Sequence, residues 1–371
     1  MIYLDNAATS YPKPPCVIEK INFCLRKCGG NPGRSSHRLS MLAAEEIYRT
    51  REAIADLIHI DTPEQIVFTM NATEALNLAI KSFVAPGDHI LISDAEHNSV
   101  LRPLAKLKES LGIQYSEING NDPSSSLESN FRENTRGIVC SIASNVTGRQ
   151  IPLPLLTDFA IKRGLFLIID ASQAIGHTDI DLSKYPCDAL CAPGHKALFG
   201  IQGCGFAYFR DRRRRQTLIE GGSGSNSMDL CMPELLPEGY EAGTPPTPAI
   251  VGLGEGVRFV KEIGIEEIEH RLEMLTDNLY EMLSGIKGVK IYGRGLGILS
   301  FNYMDIPSSV ISAKLDRMGI CVRGGLHCAP SVHKRLGTVD QGAVRVSFSY
   351  FNDLHDPMRF YKAIRQIEKE K

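Results

Sequence analysis

Short apolar runs alternate with longer amphipathic stretches from about residue 64 onwards. The stretches between the runs have apolar residues at helical spacing. Short apolar runs joined by helices are typical of βα units, whose parallel strands are buried on both faces of a sheet. The apolar runs are EQIVFT, HILISD, RGIVCSIAS, LFLIID, DALCAP and GFAYF. This pattern predicts an α/β domain with a mainly parallel central sheet.

The chain after about residue 250 follows a different pattern. A long helical region extends to about Gly285, and short strands then alternate with two further helices. The segments are KIYG, ILSFNY, PSSVISAKLDRMG, CVRGG, AVRVSFS and DPMRFYKAIRQIEKE. Because single cores stop growing near ~250–300 residues, a chain of 371 residues is expected to form two domains. The second region predicts a smaller α+β domain.

The two regions are separated by a segment from Glu220 to Ile250 that is rich in glycine, serine and proline. It shows little periodicity, and loops of that length without regular structure are uncommon unless they are functional. We therefore expect a functional loop here.

Composition excludes several classes of partner. The formal net charge of −2 gives no basic field for nucleic acid. The run from Arg212 to Arg215 is most simply a solvated turn, and a docking patch for a sulfur acceptor is the alternative. The first residues, MIYLDNAATS, lack the features of a signal peptide, and no apolar run approaches the ~18 residues of a membrane helix. We expect a cytoplasmic protein that binds no membrane.

The ten cysteines are expected to be reduced thiols in such a protein. Their spacing matches no zinc motif, so no metal site is expected. One of them, Cys328, follows the pair Gly324 and Gly325 in the stretch GGLHCAPSVH, which predicts a flexible hinge beside a histidine.

Two residues after predicted strands indicate a cofactor. Asp170 ends the strand LFLIID, where a buried carboxylate needs a cation opposite or serves as a helix cap. Lys196 lies in the turn APGHKALFG between two strands, where it can form a Schiff base with an aldehyde or simply be exposed. An aldehyde cofactor with a pyridine ring explains both, because Asp170 would keep the ring nitrogen protonated.

An anchor for a phosphate group is available in MNATEALN, which follows a strand and opens a helix. The backbone N–H groups near Ala72 and Thr73 would point at an anion, and Thr73 adds a hydroxyl, although an ordinary helix cap has the same sequence. His97 follows the strand HILISD, where an imidazole can stack on a planar ring or make an ordinary hydrogen bond.

These residues belong to an ordered set of motifs that covers nearly the whole chain. The motifs are YLDNAAT, NATEALN, EHNSV, SNVTG, DASQ, GHK, YEAGTP, RGGLHCAP and VRVSFSYFN. The set resembles the cysteine desulfurase and selenocysteine lyase branch of the class V aminotransferase-like enzymes. The resemblance implies a pyridoxal phosphate enzyme of fold-type I, a homodimer with its active site at the subunit boundary. It also implies a large cofactor-binding domain at residues 14–249 and a small domain of residues 1–13 and 250–371 that carries the Cys328 loop.

The resemblance gives each site residue a role. Lys196 would hold the cofactor as a Schiff base, Asp170 would pair with the pyridine nitrogen, and Gln173 would donate to the phenolate oxygen. His97 would stack on the ring. The groups implied at the phosphate are Ala72, Thr73, His195 and, from the neighbouring subunit, Thr244. The residues implied at the substrate carboxylate are Asn145, which also lies by the cofactor, and Arg345, with His37 of NPGRSSHRLS facing the same cleft.

Three positions depart from the family pattern. Pro193 stands where relatives carry a serine or threonine bonded to the phosphate, and proline has no such donor. Gly33 and Leu326 stand where close relatives can have histidine. The departure at Pro193 predicts weaker phosphate binding or a compensating group, and the other two leave the choice between cysteine and selenocysteine open.

The implied reaction converts L-cysteine to L-alanine. Lys196 would remove the α-proton, and the Cys328 thiolate would attack the substrate sulfur and keep it as a persulfide. The compact loop RGGLHCAPSVHKRLGT resembles that of the second group of desulfurases and predicts a dedicated sulfur acceptor docking at the cleft. Selenocysteine lyase activity is the alternative, followed by another class V reaction such as transamination or epimerisation. Iron–sulfur cluster assembly, selenium delivery, and cofactor or RNA modification all remain possible pathways.

Overall fold

The computed structural model describes residues 1–33, 35–224 and 228–369. Its strands are β1 (Ile2–Tyr3), β2 (Ile66–Thr69), β3 (His89–Ser93), β4 (Gln114–Ile118), β5 (Thr135–Ser141), β6 (Phe166–Asp170), β7 (Ala189–Pro193), β8 (Gly205–Phe209), β9 (Val289–Gly295), β10 (Ile298–Tyr303), β11 (Ile320–Cys321), β12 (Arg323–Gly325) and β13 (Ala343–Ser347). Its helices are α1 (Pro15–Lys27), α2 (Arg38–Leu57), α3 (Ala72–Phe83), α4 (Asn98–Leu111), α5 (Pro123–Asn130), α6 (Leu153–Arg163), α7 (Thr247–Ile263), α8 (Ile265–Ser284), α9 (Ser308–Arg317), α10 (Pro330–Leu336) and α11 (Asp356–Lys369). No helix in the described ranges is long and apolar enough to cross a membrane.

The central sheet has seven strands in the order β2-β8-β7-β6-β5-β3-β4. All neighbours pair in parallel except β8, which is antiparallel to both β2 and β7. Alternate residues enter different cores: Ile138 and Cys140 pack on one side of β5, and Val139 packs on the other. Both faces are therefore covered, as the continuous apolar runs predict. The predicted α/β class with a mainly parallel sheet is confirmed.

A second, four-stranded antiparallel sheet has the order β12-β13-β10-β9. Helices α8, α9 and α11 contact this sheet or one another around it. The N-terminal strand β1 pairs with β11 in parallel, and Asp5 forms a bridge with Ser347 at the end of β13. The first residues of the chain therefore lie with its C-terminal part.

Several elements differ from the predicted pattern. Helices α1 and α2 precede residue 64, where the predicted alternation begins. Strand β4, in which only Ile118 is buried, lacks the apolar run that marks the other strands of the sheet. The segment from Glu220 has no helix or long strand among its described residues as far as Pro246, and residues 225–227 of the predicted loop lie outside the described ranges. Helix α7 begins at Thr247, and Pro248 lies in its first turn, where the N–H that proline lacks is not needed.

Candidate active site

A cavity of about 210 Å³ opens where the carboxyl ends of β5, β6 and β7 face residues of the second sheet. In open α/β sheets, ligands bind outside these strand ends. Nine of the residues proposed from sequence line the cavity. They are Ala72, Thr73, His97, Asn145, Asp170, Gln173, His195, Lys196 and Arg345.

Lys196 lies in the turn between β7 and β8, and the N-terminal segment of the chain fixes the backbone of this turn. The hydroxyl of Ser10 donates to the carbonyl of Lys196 at 2.7 Å. The backbone N–H of Ser10 and the ammonium of Lys13 donate to the carbonyl of His195 at 3.1 and 3.0 Å. The lysine side chain therefore starts from a backbone with little freedom to move.

The electrostatic surroundings of Lys196 increase the fraction of its neutral amine. Burial lowers the pKa of Lys196 to about 8, Asp170 opposes this shift, and the guanidinium groups of Arg345 and Arg323 add to it. A lysine with a lowered pKa has more of the unprotonated amine at neutral pH, and the unprotonated amine is the nucleophilic form. The site therefore prepares Lys196 to react with a carbonyl group.

Asp170 is buried at the end of β6 and is held by two neighbours. The backbone N–H of Ser172 donates to its Oδ1 at 2.9 Å, and the Ser141 hydroxyl lies 3.3 Å from its Oδ2. The same hydroxyl lies 2.7 Å from Oε2 of Glu96, a fully buried residue whose pKa burial raises to about 7. Glu96 belongs to the motif EHNSV, and the sequence alone does not show that it shares the Ser141 hydroxyl with Asp170.

The N-terminus of α3 forms a concave backbone surface at the cavity. Asn71 caps the helix, since its Oδ1 accepts from the N–H of Glu74 at 3.0 Å. The N–H groups of Ala72 and Thr73 have no acceptor within the described part of the chain. Gly205 passes beneath this turn, where a Cβ would lie 2.8 Å from the carbonyl carbon of Asn71. An anion with several oxygens suits such a helix end.

Arg345 lies on β13 and is buried at 1% exposure. Its Nη1 donates to the carbonyl of Asn145 at 2.9 Å, and its Nη2 pairs with Oδ1 of Asp5 at 2.9 Å. Its Nε is buried without a partner among the residues that the structure describes, as is Oδ1 of Asn145. Buried polar atoms without partners call for an explanation, and a bound polar ligand supplies one.

The sequence is similar to a known family of proteins. The family model described as aminotransferase class-V matches residues 2–360. The chain belongs to the class-V aminotransferase family. A probable cysteine desulfurase from Pyrococcus abyssi is 31% identical over all of this chain and 94% of its own. A cysteine desulfurase from Yersinia pestis is 29% identical over the same shares.

Solved structures of cysteine desulfurases superpose closely on this chain. The apo structure of a cysteine desulfurase from Thermococcus onnurineus superposes with a TM-score of 0.92 at 31% identity, covering all of this chain and 95% of the other. A cysteine desulfurase from Escherichia coli gives a TM-score of 0.90 at 25% identity, covering 99% and 94% of the two chains.

His97 caps helix α4 in this class-V chain. Its Nδ1 accepts from the N–H of Ser99 at 3.1 Å, which leaves Nε2 as the protonated nitrogen of the neutral ring. Burial lowers the pKa of His97, and the nearby Asp170 carboxylate opposes this effect. A neutral imidazole therefore faces the cavity.

Cys328 lies between β12 and α10, next to His327, which lines the cavity. Its carbonyl accepts from the N–H of Asn98 at 2.8 Å, so its backbone is fixed beside the first turn of α4. Cys328 is exposed whereas His327 is buried, and the two side chains therefore diverge as expected for neighbours. The thiol is accessible beside the cavity.

The glycine pair before Cys328 is not a free hinge in the structure. Gly324 and Gly325 belong to β12 and pair with Val344 and Ala343 of β13. A Cβ on Gly324 would come within 2.6 Å of the carbonyl oxygen of Ser308, so this glycine permits close packing on α9. The prediction of a flexible hinge overlooked this strand pairing, which depends on residues some twenty positions away.

Besides Cys328, which lies next to the cavity without lining it, two proposed site residues lie outside the cavity within a single chain. Thr244 is exposed, and its hydroxyl accepts from Asn31 Nδ2 at 3.2 Å. His37 is exposed and caps α2 by accepting from the N–H of Ser40 at 3.2 Å. Neither side chain lies with the nine proposed residues that line the cavity.

Arg323 was missed by sequence reasoning. It lines the cavity and stands opposite Arg345 in the antiparallel register of β12 and β13. Its guanidinium group has no acceptor in the described ranges, so the cavity holds a second cation available to a ligand. The spacing of RGGLHCAP and VRVS along the chain does not reveal that their arginines face each other.

Proposed function

We propose that the chain is a pyridoxal phosphate-dependent cysteine desulfurase that converts L-cysteine to L-alanine and carries the removed sulfur on Cys328. The observation that carries the proposal is an exposed thiol fixed beside a cavity that contains a lysine of lowered pKa and a buried arginine with an unpartnered Nε. The relatives named as cysteine desulfurases support the same reaction.

The residues around the cavity fit the cofactor. When bound, pyridoxal phosphate supplies an aldehyde and an electron-withdrawing ring. Lys196 would hold the aldehyde, Asp170 the ring nitrogen and Gln173 the phenolate oxygen, with His97 against the ring. Nδ1 of His195 is buried without a partner in the described ranges and would contact the phosphate, together with Thr73 and the N–H of Ala72. Pro193 lines the same region and adds no donor.

The substrate carboxylate is proposed to bind at Arg345 and Asn145. Arg345 is fixed by Asp5 and by the Asn145 carbonyl, and its Nε remains available. Nδ2 of Asn145 donates one hydrogen to the His327 carbonyl at 2.7 Å, and its second hydrogen is proposed to bind the carboxylate. A planar guanidinium matches a carboxylate in a two-bond arrangement. His37 is proposed to reach this cleft only from the partner subunit, since it lies outside the cavity of its own chain.

The chain's own residues then have the following tasks. Lys196, as a neutral amine, takes the α-proton of the substrate. The Cys328 thiolate attacks the substrate sulfur: an S–S bond forms, the C–S bond breaks, and its electron pair stays with carbon, which is protonated to give alanine. The sum is L-cysteine plus thiol giving L-alanine plus persulfide, so no external oxidant is needed.

We further propose a homodimer in which Thr244 reaches the phosphate of the partner subunit. Met70 and Ile219 are more than half exposed and line the same surface depression as Thr244. Exposed apolar patches of this kind mark protein interfaces. Sedimentation equilibrium should give a mass near twice that of the chain, and a monomeric mass would contradict the proposal.

The remaining proposals concern domains, location and acceptor. Residues 14–249 are proposed as the large domain and residues 1–13 with 250–371 as the small one, supported by the pairing of β1 with β11. All ten cysteines are free, which suits a reducing, cytoplasmic location. The persulfide on Cys328 is proposed to pass to a dedicated acceptor protein.

The test of the activity uses the purified holoenzyme with L-cysteine. Alanine should form, and mass spectrometry of alkylated peptides should show one added sulfur on the peptide containing Cys328. A parallel reaction with L-selenocysteine tests the lyase activity, and one with a 2-oxo acid and L-alanine tests transamination. Absence of alanine from cysteine would overturn the proposal.

Arg345→Lys should lower kcat/KM for L-cysteine by about 10²-fold, mainly through KM, because an ammonium cannot reproduce the two-bond geometry of the guanidinium. Steady-state alanine formation measures this. Arg271→Lys is the matched control, since Arg271 donates to the backbone carbonyls of Tyr350 and Asn352, neither of which lines the cavity. Equal KM values for the two variants would show that Arg345 does not bind the substrate.

A further inference from the structure

Behind Cys328 lies a continuous chain of buried polar side chains that the proposed reaction does not use. His327, His333 and Thr338 are each at most 2% exposed. The hydroxyl of Thr338 is 2.8 Å from Nδ1 of His333, Nε2 of His333 is 3.3 Å from Nδ1 of His327, and Nε2 of His327 is 3.2 Å from the carbonyl oxygen of Arg323.

The Arg323 carbonyl at one end of this series of hydrogen bonds determines where every hydrogen in the series lies. The carbonyl oxygen of Arg323 can only accept, so Nε2 of His327 carries the proton. A neutral imidazole has one N–H, so Nδ1 of His327 accepts from Nε2 of His333. Nδ1 of His333 then accepts from the hydroxyl of Thr338. Only one arrangement of the two neutral rings satisfies all these contacts.

Both rings are neutral at physiological pH. Burial lowers the pKa of His327 to about 3, and the guanidinium groups of Arg345 and Arg323 act in the same direction. Burial also lowers the pKa of His333. Among the described residues, this series of hydrogen bonds ends at the Arg323 carbonyl and includes no bond to the Cys328 thiol, so it acts on the thiol through the geometry of the turn.

The geometry concerned is a strained turn. His327 and Cys328 are consecutive non-glycine residues in the left-handed region, with φ of 51° and 57°. The left-handed region is unfavourable for residues with a Cβ, and such a conformation persists only where the surroundings determine it. Two backbone contacts help: Asn145 Nδ2 donates to the His327 carbonyl at 2.7 Å, and the Asn98 N–H donates to the Cys328 carbonyl at 2.8 Å. Among the described residues, the imidazole of His327 is hydrogen-bonded to His333 and to the Arg323 carbonyl.

We propose that His333 is a positioning residue for Cys328: by donating to His327, it fixes the left-handed turn that presents the thiol to the substrate and orients the carbonyl of Arg323. This inference rests on the proposed function of Cys328 for its effect on turnover, but its structural part stands without it. Every polar atom of the two imidazole rings in this series has a hydrogen-bond partner, and a fully satisfied buried network favours one conformation. An apolar pair at these positions would fill the same space without determining the turn.

The test compares His333→Leu, which removes the donor, with His333→Gln, whose amide N–H can still donate to His327. His89→Leu is the matched control, because His89 is also fully buried between two hydroxyls, at 2.8 Å from Thr135 and 2.9 Å from Ser116, far from Cys328. Hydrogen exchange of the holoenzyme without substrate, followed on the peptide that contains residues 323–329, reports on the turn itself.

We expect His333→Leu to speed exchange in this peptide by about 10-fold, the effect of losing one buried hydrogen bond. His333→Gln should restore much of the protection, and His89→Leu should leave this peptide unchanged while destabilising the fold. For turnover of L-cysteine, His333→Leu should lower kcat by about 10-fold with little change in KM, because a displaced thiol slows attack without affecting carboxylate binding.

The proposal is overturned if His333→Leu and His89→Leu change exchange at residues 323–329 equally, or if glutamine rescues nothing. If the leucine variant does not fold, Thr338→Val takes its place, and unchanged exchange in that variant overturns the proposal. Should the wild type form no alanine from cysteine, the proposed function fails, and the exchange comparison still decides whether His333 fixes the turn.

Discussion

Replacement of Lys196 by alanine should lower the rate of alanine formation from L-cysteine by at least about 10³-fold, the scale of losing a covalent and proton-transfer group together. Lys196 is placed for both tasks: its backbone carbonyl is fixed by Ser10, and burial lowers its pKa to about 8. The measurement is single-turnover alanine formation with saturating cofactor and substrate, so that weaker binding of either does not contribute.

Lys196→Arg separates reactivity from charge. Arginine keeps a cation beside Asp170, but its guanidinium stays protonated at all working pH values and cannot act as an amine nucleophile or base. We expect this variant to be as inactive as Lys196→Ala. Substantial activity in the arginine variant would mean that Lys196 contributes only its charge, and the chemical role assigned to it would be wrong.

The sequence predicted those parts of the site that lie at strand ends. Asp170 and Lys196 follow apolar runs, and the ends of neighbouring strands in a parallel sheet meet at one edge, so their proximity follows from the pattern. The large sheet could be predicted for the same reason, because its buried strands are continuous apolar runs. Strand β4 lacks such a run, since it is an edge strand in which only Ile118 is buried.

The parts that could not be predicted depend on contacts between distant segments. Arg323 faces Arg345 only because of the register between β12 and β13, and Gly324 packs on α9 only because of that pairing. His333 reads as one polar residue in a short helix, and its link to His327 arises because α10 folds back under the turn. Spacing along a sequence does not encode such registers.

The roles of Thr244 and His37 could not be tested against the geometry of a single chain. Both motifs resemble those of the family, and both side chains lie outside the cavity of their own chain. A residue that acts across a subunit boundary leaves no trace in the geometry of one chain. Their assignment therefore depends on the proposed dimer.

Cys328→Ala should lower alanine formation from L-cysteine by about 10³-fold, because removal of a catalytic nucleophile leaves only the contributions of binding and electrostatics. The variant should still bind L-cysteine, since Arg345, Asn145 and Lys196 are untouched. Spectral titration of the cofactor with L-cysteine measures that binding, and alanine analysis measures the loss of turnover. Cys231→Ala is the matched control, because Cys231 is the other exposed cysteine and lies on the long loop away from the cavity.

The behaviour of Cys328→Ala with L-selenocysteine distinguishes two enzymes that share the same cavity. The C–Se bond is weaker than the C–S bond, so selenium can leave with less help from a thiolate, and the variant should lose much less of its activity toward selenocysteine. A loss confined to cysteine identifies Cys328 as the sulfur acceptor of a desulfurase. Full retention of cysteine turnover would instead show that sulfur leaves without Cys328, and the exposed thiol beside the cavity would then have no part in the reaction.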